Sequence, residues 1–155
     1  MKILRKNGEK LLFVFAVAVA LMLLMPVLAY EGLEYAGYEV LIGKKLVDIA
    51  PFGLGTVASA KLPFSFTALL GFGAPLAAGI LALASKRFLM ISAFLLIVGF
   101  VFLFRLPDAT QIVYTIAGNE YTTDINWEKD FGLLAALMLN GLAFFVNLLL
   151  LVVKK

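Results

Sequence analysis

The sequence contains no cysteine and no histidine, and each absence removes a class of chemistry. Without cysteine, the chain can form no disulfide and has no thiolate nucleophile, and cysteine usage says nothing about its redox compartment. Without either residue there is no Cys/His zinc site and no histidine-ligated haem, and the commonest general base of hydrolases is missing. The sequence therefore favours functions that need neither thiol nor imidazole chemistry.

Charged residues are scarce as well, and apolar residues take their place. The chain of 155 residues is 15% charged and 63% hydrophobic, with a mean hydropathy of +1.04. Soluble domains are on average about one quarter charged and about half apolar. A water-soluble core cannot bury this much apolar surface, so we expect lipid to be the solvent.

Apolar runs divide the chain into four candidate membrane spans. The longest run extends from Phe64 to Phe104 and is interrupted by Ser85-Lys86-Arg87, which is enough for a turn between two helices. Each span is long enough to cross a bilayer as a helix. The spans cover residues 11–29, 64–84, 88–104 and 131–153. We predict an all-α membrane protein, a four-transmembrane-helix bundle forming a single membrane domain over 1–155. A small extracellular β-containing cap is expected from the outer loops 30–63 and 105–130.

The first span has two interpretations. A basic start, an apolar stretch broken by Pro26 and the small-residue end Val27-Leu28-Ala29 are typical of a cleavable signal peptide. The apolar run is long for such a peptide, however, and three further spans follow against which it can pack. We favour a retained helix, and the other three spans keep their orientation in either case.

Basic residues are unevenly distributed among the segments outside the spans. The N-terminus, the 85–87 turn and the C-terminus together hold eight of the thirteen basic residues and one of the ten acidic residues. Basic residues in short loops remain on the cytoplasmic side of a membrane. We therefore predict a multi-pass protein of the cell (plasma or inner) membrane, with both termini cytoplasmic and both long loops outside.

The spans contain polar side chains but no Asp, Glu, Lys or Arg, which argues against a proton or ion pump. Asn140 and Asn147 lie seven residues apart on one face of the last helix. They either line a polar path or donate hydrogen bonds to neighbouring helices, and we favour the second interpretation. At its depth Asn140 is level with the Gly71 carbonyl, which Pro75 leaves free, and Asn147 is level with Ser92.

The outer loops contain β-prone segments and many aromatic residues. Residues 111–117 and 120–125 flank Gly118-Asn119 and predict a hairpin, which we expect to add a strand from Glu34 to Leu41. Residues 37–45 are compatible with a short strand or a surface helix, and 51–55 predict a turn. The candidate outer-loop interaction residues are Tyr35, Tyr38, Glu39, Tyr114, Tyr121 and Trp127.

Two acidic clusters lie in the outer loops, but neither has the spacing of a calcium loop, and we interpret both as solvated surface. These clusters are Glu31, Glu34 and Glu39, and Asp124, Glu128 and Asp130. The sequence contains no Gly-x-Ser-x-Gly or Ser-x-x-Lys motif. We expect no enzyme, no cofactor, no metal site and no nucleic-acid partner.

A basic start, one span, an outer Gly37-Tyr38-Glu39-Val40-Leu41-Ile42-Gly43-Lys44 segment and three further spans resemble small uncharacterised four-span membrane proteins of bacteria. This resemblance covers most of the chain as topology and implies no activity. The layout is also similar to the claudin-like group, whose first outer loop carries a tryptophan and a cysteine pair. This chain has no cysteine, and its one tryptophan, Trp127, is in the second loop, so that function is not transferred.

We expect a non-enzymatic accessory or scaffold subunit that binds the lipid bilayer and either another membrane protein or further copies of itself. Binding would use lateral helix faces or the outer loops. The alternative is a small channel or transporter subunit that uses the helix broken by Pro75 and the Asn140/Asn147 face. A third possibility is lipid binding between the second and fourth spans.

Overall fold

The computed structural model describes residues 2–49 and 58–153, with side chains from residue 7 onward. The turn predicted at 51–55 and the basic C-terminal pair lie outside the described residues. Within these ranges the chain forms five helices: α1 (Lys2–Leu21), α2 (Gly37–Ile42), α3 (Phe66–Ala84), α4 (Leu89–Ala109) and α5 (Phe131–Val153). The same ranges contain seven strands: β1 (Pro26–Tyr30), β2 (Leu33–Ala36), β3 (Lys44–Ile49), β4 (Ala58–Leu62), β5 (Gln111–Ile116), β6 (Asn119–Asp124) and β7 (Glu128–Lys129).

The prediction of an all-α fold class is wrong. The described part of the chain is 65% helix and 24% strand, with two antiparallel sheets, so the fold is mixed α/β. The apolar runs correctly located long helices, but the β-containing cap that was expected between them is larger than predicted and forms two sheets. The segments between the long helices pair with one another, β4 with β5 and β1 with β7, and together form the β region at one end of the bundle, called the sheet domain below.

Four of the described helices, α1, α3, α4 and α5, are long and apolar enough to cross a membrane. Helix α1 packs against α3 and α5, and α4 packs against the same two helices, so the four close a ring. Helices α1 and α4 end at the same end of the bundle at which α3 and α5 begin. Both long loops, which connect α1 to α3 and α4 to α5, therefore lie at that end.

The first helix ends earlier than the predicted span 11–29. It stops at Leu21, is followed by a 3₁₀ turn over Met22–Leu24, and gives way to strand β1 at Pro26. Proline has no backbone donor and clashes with the preceding helical turn, which explains why the helix does not continue. Helix α4, in contrast, continues past Phe104 to Ala109.

Small residues allow the helices to approach closely. A Cβ added at Gly79 would lie 2.6 Å from the Cβ of Ala16 on α1, and one at Gly99 would lie 2.6 Å from the Pro75 ring on α3. Ala78 and Ala82 of α3 are also fully buried against neighbouring helices. Without a hydrophobic drive between helices in lipid, such close contact supplies the packing energy.

The three-stranded sheet has the order β2-β1-β7 and lies directly on the bundle. Its central strand β1 buries Val27 and Leu28 completely. Strands β1 and β2 form a tight hairpin, in which Glu31 and Gly32 take positive φ angles of 49° and 80°. A two-residue turn with positive φ at both residues has a backbone twist that matches the right-handed twist of the flanking strands.

The four-stranded sheet has the order β3-β4-β5-β6 and contains the predicted hairpin as β5 and β6. Its turn is at Ala117-Gly118, where both φ angles are positive. The prediction that a strand from Glu34 to Leu41 joins the hairpin is wrong. Only its first residues are in a strand, β2, which pairs with β1, while Gly37–Ile42 forms helix α2 and the strand added to the hairpin is β4. Residues 37–45 are thus a helix followed by the start of β3.

Candidate functional site

Asn140 is fully buried in α5 and links it to α4. Its Nδ2 donates a hydrogen bond of 3.0 Å to the backbone carbonyl of Leu96. This agrees with the interhelical hydrogen-bonding interpretation, but the predicted acceptor was wrong. The Gly71 carbonyl instead faces Gly99 of α4, since a Cβ added at Gly99 would lie 3.2 Å from it.

The error has a geometric cause. The calculated depth of Asn140 in the membrane is the same as that of Gly71 and Pro75. Equal depth does not show, however, that two helices are neighbours. In the ring of helices, α5 packs between α1 and α4, so α3 is diagonal to it. Pro75 is covered by Gly99 on the adjacent helix instead.

Asn147 and Ser92 complete the polar positions identified in the spans. Ser92 is buried, and its Oγ donates a hydrogen bond of 2.9 Å to the Ala78 carbonyl, joining α4 to α3. Asn147 is also fully buried, and neither its Oδ1 nor its Nδ2 has a hydrogen-bond partner among the described residues. The two asparagines share a helix face but differ in their hydrogen bonding.

This difference predicts different responses to the same substitution. Asn140→Val removes an interhelical hydrogen bond and is expected to lower stability by about 0.6–1.7 kcal/mol, the range of such bonds within membranes. Asn147→Val removes a buried amide without a partner, so stability should be unchanged or higher. Reversible unfolding in mixed micelles would measure both. Equal losses would contradict the assignment and show that Asn147 forms a hydrogen bond.

In the sheet domain, Trp127 is buried where the two loops meet. Its side chain is 8% exposed, and its Nε1 donates a hydrogen bond of 2.7 Å to the carbonyl of Thr110. Its ring packs edge-on against Tyr35 at 5.3 Å and against Tyr30 at 5.9 Å between centroids. Trp127 and Tyr35, which the sequence suggested for partner binding, are therefore internal contacts that join the two loops.

Glu39 also has an internal role. Its carboxylate accepts hydrogen bonds from the backbone N–H of Ala36 at 3.2 Å and from Lys44 Nζ at 2.6 Å. The first bond stabilises the start of α2, and the second raises the pKa of Lys44. Tyr38, on the same helix, is exposed.

The four-stranded sheet has one apolar face and one polar face. Strand alternation and the cross-strand register place two rows of residues on the apolar face. The rows are Val47, Ala60, Tyr114 and Tyr121, and Ile49, Ala58, Ile116 and Asn119. The ion pair of Lys61 with Glu120, 3.0 Å between Nζ and Oε1, belongs to the opposite face. These two rows therefore contain no charge.

No described element covers these two rows, whereas Leu62 and Ile112, the next residues along the same face, pack against the hydrophobic core. Val47, Ile49, Ile116 and Tyr121 are each about half exposed, and the face contains a shallow depression of about 160 Å³. Tyr114 and Tyr121 stack across strands β5 and β6 at 5.5 Å. Of these residues the sequence identified the two tyrosines. The alternation of Ile112, Tyr114 and Ile116 was the signal for the rest.

Among residues 2–49 and 58–153, no group of three acidic side chains lies close enough to hold a metal ion. Comparisons of the chain with protein-family models, with curated proteins and with solved structures give no match. The structure alone therefore defines the class: in its described part, this is a mixed α/β protein with four helices able to cross a membrane. The resemblance to four-span bacterial membrane proteins stays a prediction.

Proposed function

We propose that this chain is a non-enzymatic accessory protein of a membrane, and that the apolar face of its four-stranded sheet binds the outer part of another membrane protein. The observation that supports this function is the uncovered face itself. An antiparallel sheet normally packs one apolar face onto a core and leaves the other in water. Here the described residues supply a core only for Leu62 and Ile112 at one end of the face, and none for the two rows beyond them.

The composition of the face fits a protein partner. It presents aliphatic side chains and two stacked tyrosines without a charged residue, and Lys61 and Glu120 pair on the other side of the sheet. Uncharged, tyrosine-rich patches with charges kept to the periphery are typical of interface centres. A partner in the same membrane meets this face without diffusing through the solvent, which favours a second membrane protein.

The proposed orientation places both sheets outside the cell. It rests on the eight basic residues and one acidic residue of the N-terminus, the 85–87 turn and the C-terminus. In the described part of the chain, the start of α1, the 85–87 turn and the end of α5 lie at the end of the bundle opposite the sheets. The second loop, which supplies β5 to β7, contains two basic and five acidic residues, in agreement with the outer side.

We also infer that α1 is retained. Cleavage after Ala29 would remove a helix that packs against α3 and α5 and would cut the central strand of the three-stranded sheet. The measured mass of the purified protein should therefore include residues 1–29. A mass that begins near Tyr30 would contradict this inference.

Site-specific photocrosslinking in cells tests the partner. A photoreactive residue replaces Ile116 on the apolar face in one variant and Thr122 on the polar face in the matched control. Both positions are exposed and lie on adjacent strands. We expect one protein adduct at position 116 and none at 122. Equal labelling, no adduct, or an adduct with the mass of two copies of this chain would each contradict the proposal.

The channel alternative receives less support. Apolar clusters surround the asparagine face, with Ala78, Leu96 and Ala143 at one level and Leu12, Leu89 and Leu150 at another. A conduction path along this face would require these clusters to separate. No described contact favours such an opening, so the alternative stays a prediction.

A further inference from the structure

A groove of about 260 Å³ runs between α4 and α5 and is called the α4–α5 groove below. Asn140 lies behind its apolar lining and is fully buried, so it offers no polar group to a molecule in the groove. Ile97 and Phe100, which line it, are each nearly half exposed on the outside of the bundle. The groove is therefore open to the lipid beside the bundle and is suited to hydrocarbon.

Gly141 gives the groove its depth. Nothing lies within 4 Å of the position that a Cβ of Gly141 would occupy, and the residue lines the groove on α5. An apolar cavity of about 150 Å³ accommodates benzene, so this groove holds about ten carbon atoms by proportion. That is a large part of one lipid acyl chain.

An exposed apolar stripe leads from the groove to the end of α4 at which the sheets lie. It consists of Ile97, Phe100 and Phe104, whose spacing of three and four residues places them on one face of the helix. Phe104 is half exposed and lies about 6 Å further along the helix axis than Phe100. A chain that occupies the groove can therefore continue along this stripe toward the membrane surface.

Lys129 lies at the end of this stripe. Its Nζ is 4.1 Å from the centroid of the Phe104 ring, and it precedes the first residue of α5 by two positions. Helix α5 is about 34 Å long, and the hydrocarbon core of a bilayer is about 30 Å thick. When α5 crosses a bilayer, Lys129 is thus at the level of the lipid headgroups.

The charge of Lys129 is not neutralised within the described part of the chain. No carboxylate oxygen of these residues lies within 4.0 Å of its Nζ. Glu128 points to the other side of β7 because successive strand residues alternate, and Asp130 accepts a hydrogen bond from the N–H of Phe131. Arg105 adds a second exposed positive charge at this end of α4. An ammonium group has three N–H donors, so an anionic acceptor complements this position.

We propose that the α4–α5 groove binds one acyl chain of an anionic phospholipid whose phosphate accepts a hydrogen bond from Lys129. The groove, the stripe and the ammonium group follow one another in the order of chain and headgroup in such a lipid. A second copy of this chain, or a helix of another protein, would fill the groove but leave Lys129 without a counter-ion. The phosphate is thus the feature that favours a lipid.

The test compares dioleoyl phosphatidylglycerol with dioleoyl phosphatidylcholine, which has the same chains but no net charge. Binding is measured from the thermal unfolding of the purified full-length protein in detergent, as the shift of the midpoint with lipid concentration. We expect the glycerol lipid to bind at least about fivefold more tightly, the effect of one basic residue on an anionic lipid. Equal affinities would overturn the proposal. A midpoint that rises with protein concentration but not with lipid would assign the groove to a second copy and would also overturn it.

Substitution of Lys129 tests the headgroup contact. Lys129→Gln should reduce the preference for the glycerol lipid about fivefold while both lipids still bind. Lys45→Gln is the matched control, because it makes the same change at an exposed lysine of the sheet domain, on β3. Equal effects of the two substitutions would show general attraction to anionic lipid and would refute the site.

Substitution of Gly141 tests the position of the acyl chain. Gly141→Leu fills the groove and should abolish the midpoint shift with both lipids. Gly73→Leu is its control, because Gly73 also has nothing within 4 Å of its Cβ position but lies on α3. Lipid binding that survives Gly141→Leu, or that is lost equally in Gly73→Leu, would contradict the assignment.

Discussion

Replacing Trp127 with alanine is expected to destabilise the sheet domain by about 3–5 kcal/mol, as for other buried tryptophans. The indole fills the space between the two loops and contacts the rings of Tyr30 and Tyr35. Its Nε1 also satisfies the carbonyl of Thr110, which directly follows the last turn of α4 and has no partner within the helix. The substitution therefore removes core volume, aromatic contacts and a hydrogen bond at once.

Limited proteolysis and circular dichroism in detergent would measure the effect. Cleavage within the loops should accelerate while the four long helices stay protected. Trp127→Phe keeps most of the volume but not the donor, so it should lose about 1–3 kcal/mol. Tyr38→Ala is the control, since Tyr38 is an exposed aromatic residue of the same domain and should lose no more than about 0.5 kcal/mol. Equal losses for Tyr38→Ala and Trp127→Ala would contradict the central role of Trp127.

Gly99→Ala is expected to destabilise the bundle by about 2–3 kcal/mol, the upper part of the range for overpacked cores. The added methyl would lie 2.6 Å from both Cδ and Cγ of Pro75 and 3.2 Å from the carbonyl oxygen of Gly71. The proline ring is held by the α3 backbone and cannot rotate away. Relief therefore requires α3 and α4 to move apart along their shared interface.

Gly73→Ala provides the comparison for Gly99→Ala. It makes the same chemical change in the neighbouring helix, at a position with nothing within 4 Å of the added atom. Because alanine is the better helix former, this variant should be as stable as the natural chain or slightly more stable. Unfolding midpoints in the same detergent decide the comparison. If both variants have the same unfolding midpoint as the natural chain, the close contact between Gly99 and Pro75 is incorrect.

The sequence predicted the long helices because their signal is strong and local. Runs of apolar residues of sufficient length locate α3, α4 and α5 closely, and the hairpin turn at Gly118 has a clear chemical signature. The residue at which α1 ends was harder to predict. Pro26 does not interrupt the apolar run, so hydropathy extends the span past it. Because proline has no backbone N–H, however, the helix ends before Pro26, and strand β1 begins there.

The sheet pairings and helix neighbours depend on contacts between distant residues. Strand β4 is the short segment Ala58–Leu62, and it becomes a strand by pairing with β5, far along the chain. Likewise, the hydrogen bond from Asn140 to Leu96 depends on which helices are adjacent in the ring. Depth in the membrane can be calculated from one helix, but adjacency cannot.

In the candidate sites, too, the sequence identified individual residues but not the contacts between distant parts of the chain. Tyr114 and Tyr121 were identified as aromatic residues, but the apolar face requires the register that also places Val47 and Ile116 beside them. Trp127 was expected at an interface and is internal, because Tyr30, Tyr35 and Thr110 surround it.

The orientation of the four helices is tested most directly by cysteine labelling, since the natural chain contains no cysteine to interfere. Thr122→Cys places a thiol on the exposed strand β6, and Lys86→Cys places one in the exposed turn at the opposite end of the bundle. A membrane-impermeant maleimide is added to sealed, right-side-out membrane vesicles. We expect labelling at position 122 before lysis and at position 86 only after lysis. The reverse pattern, or labelling of both positions in sealed vesicles, would contradict a bundle that crosses the membrane with its sheets outside.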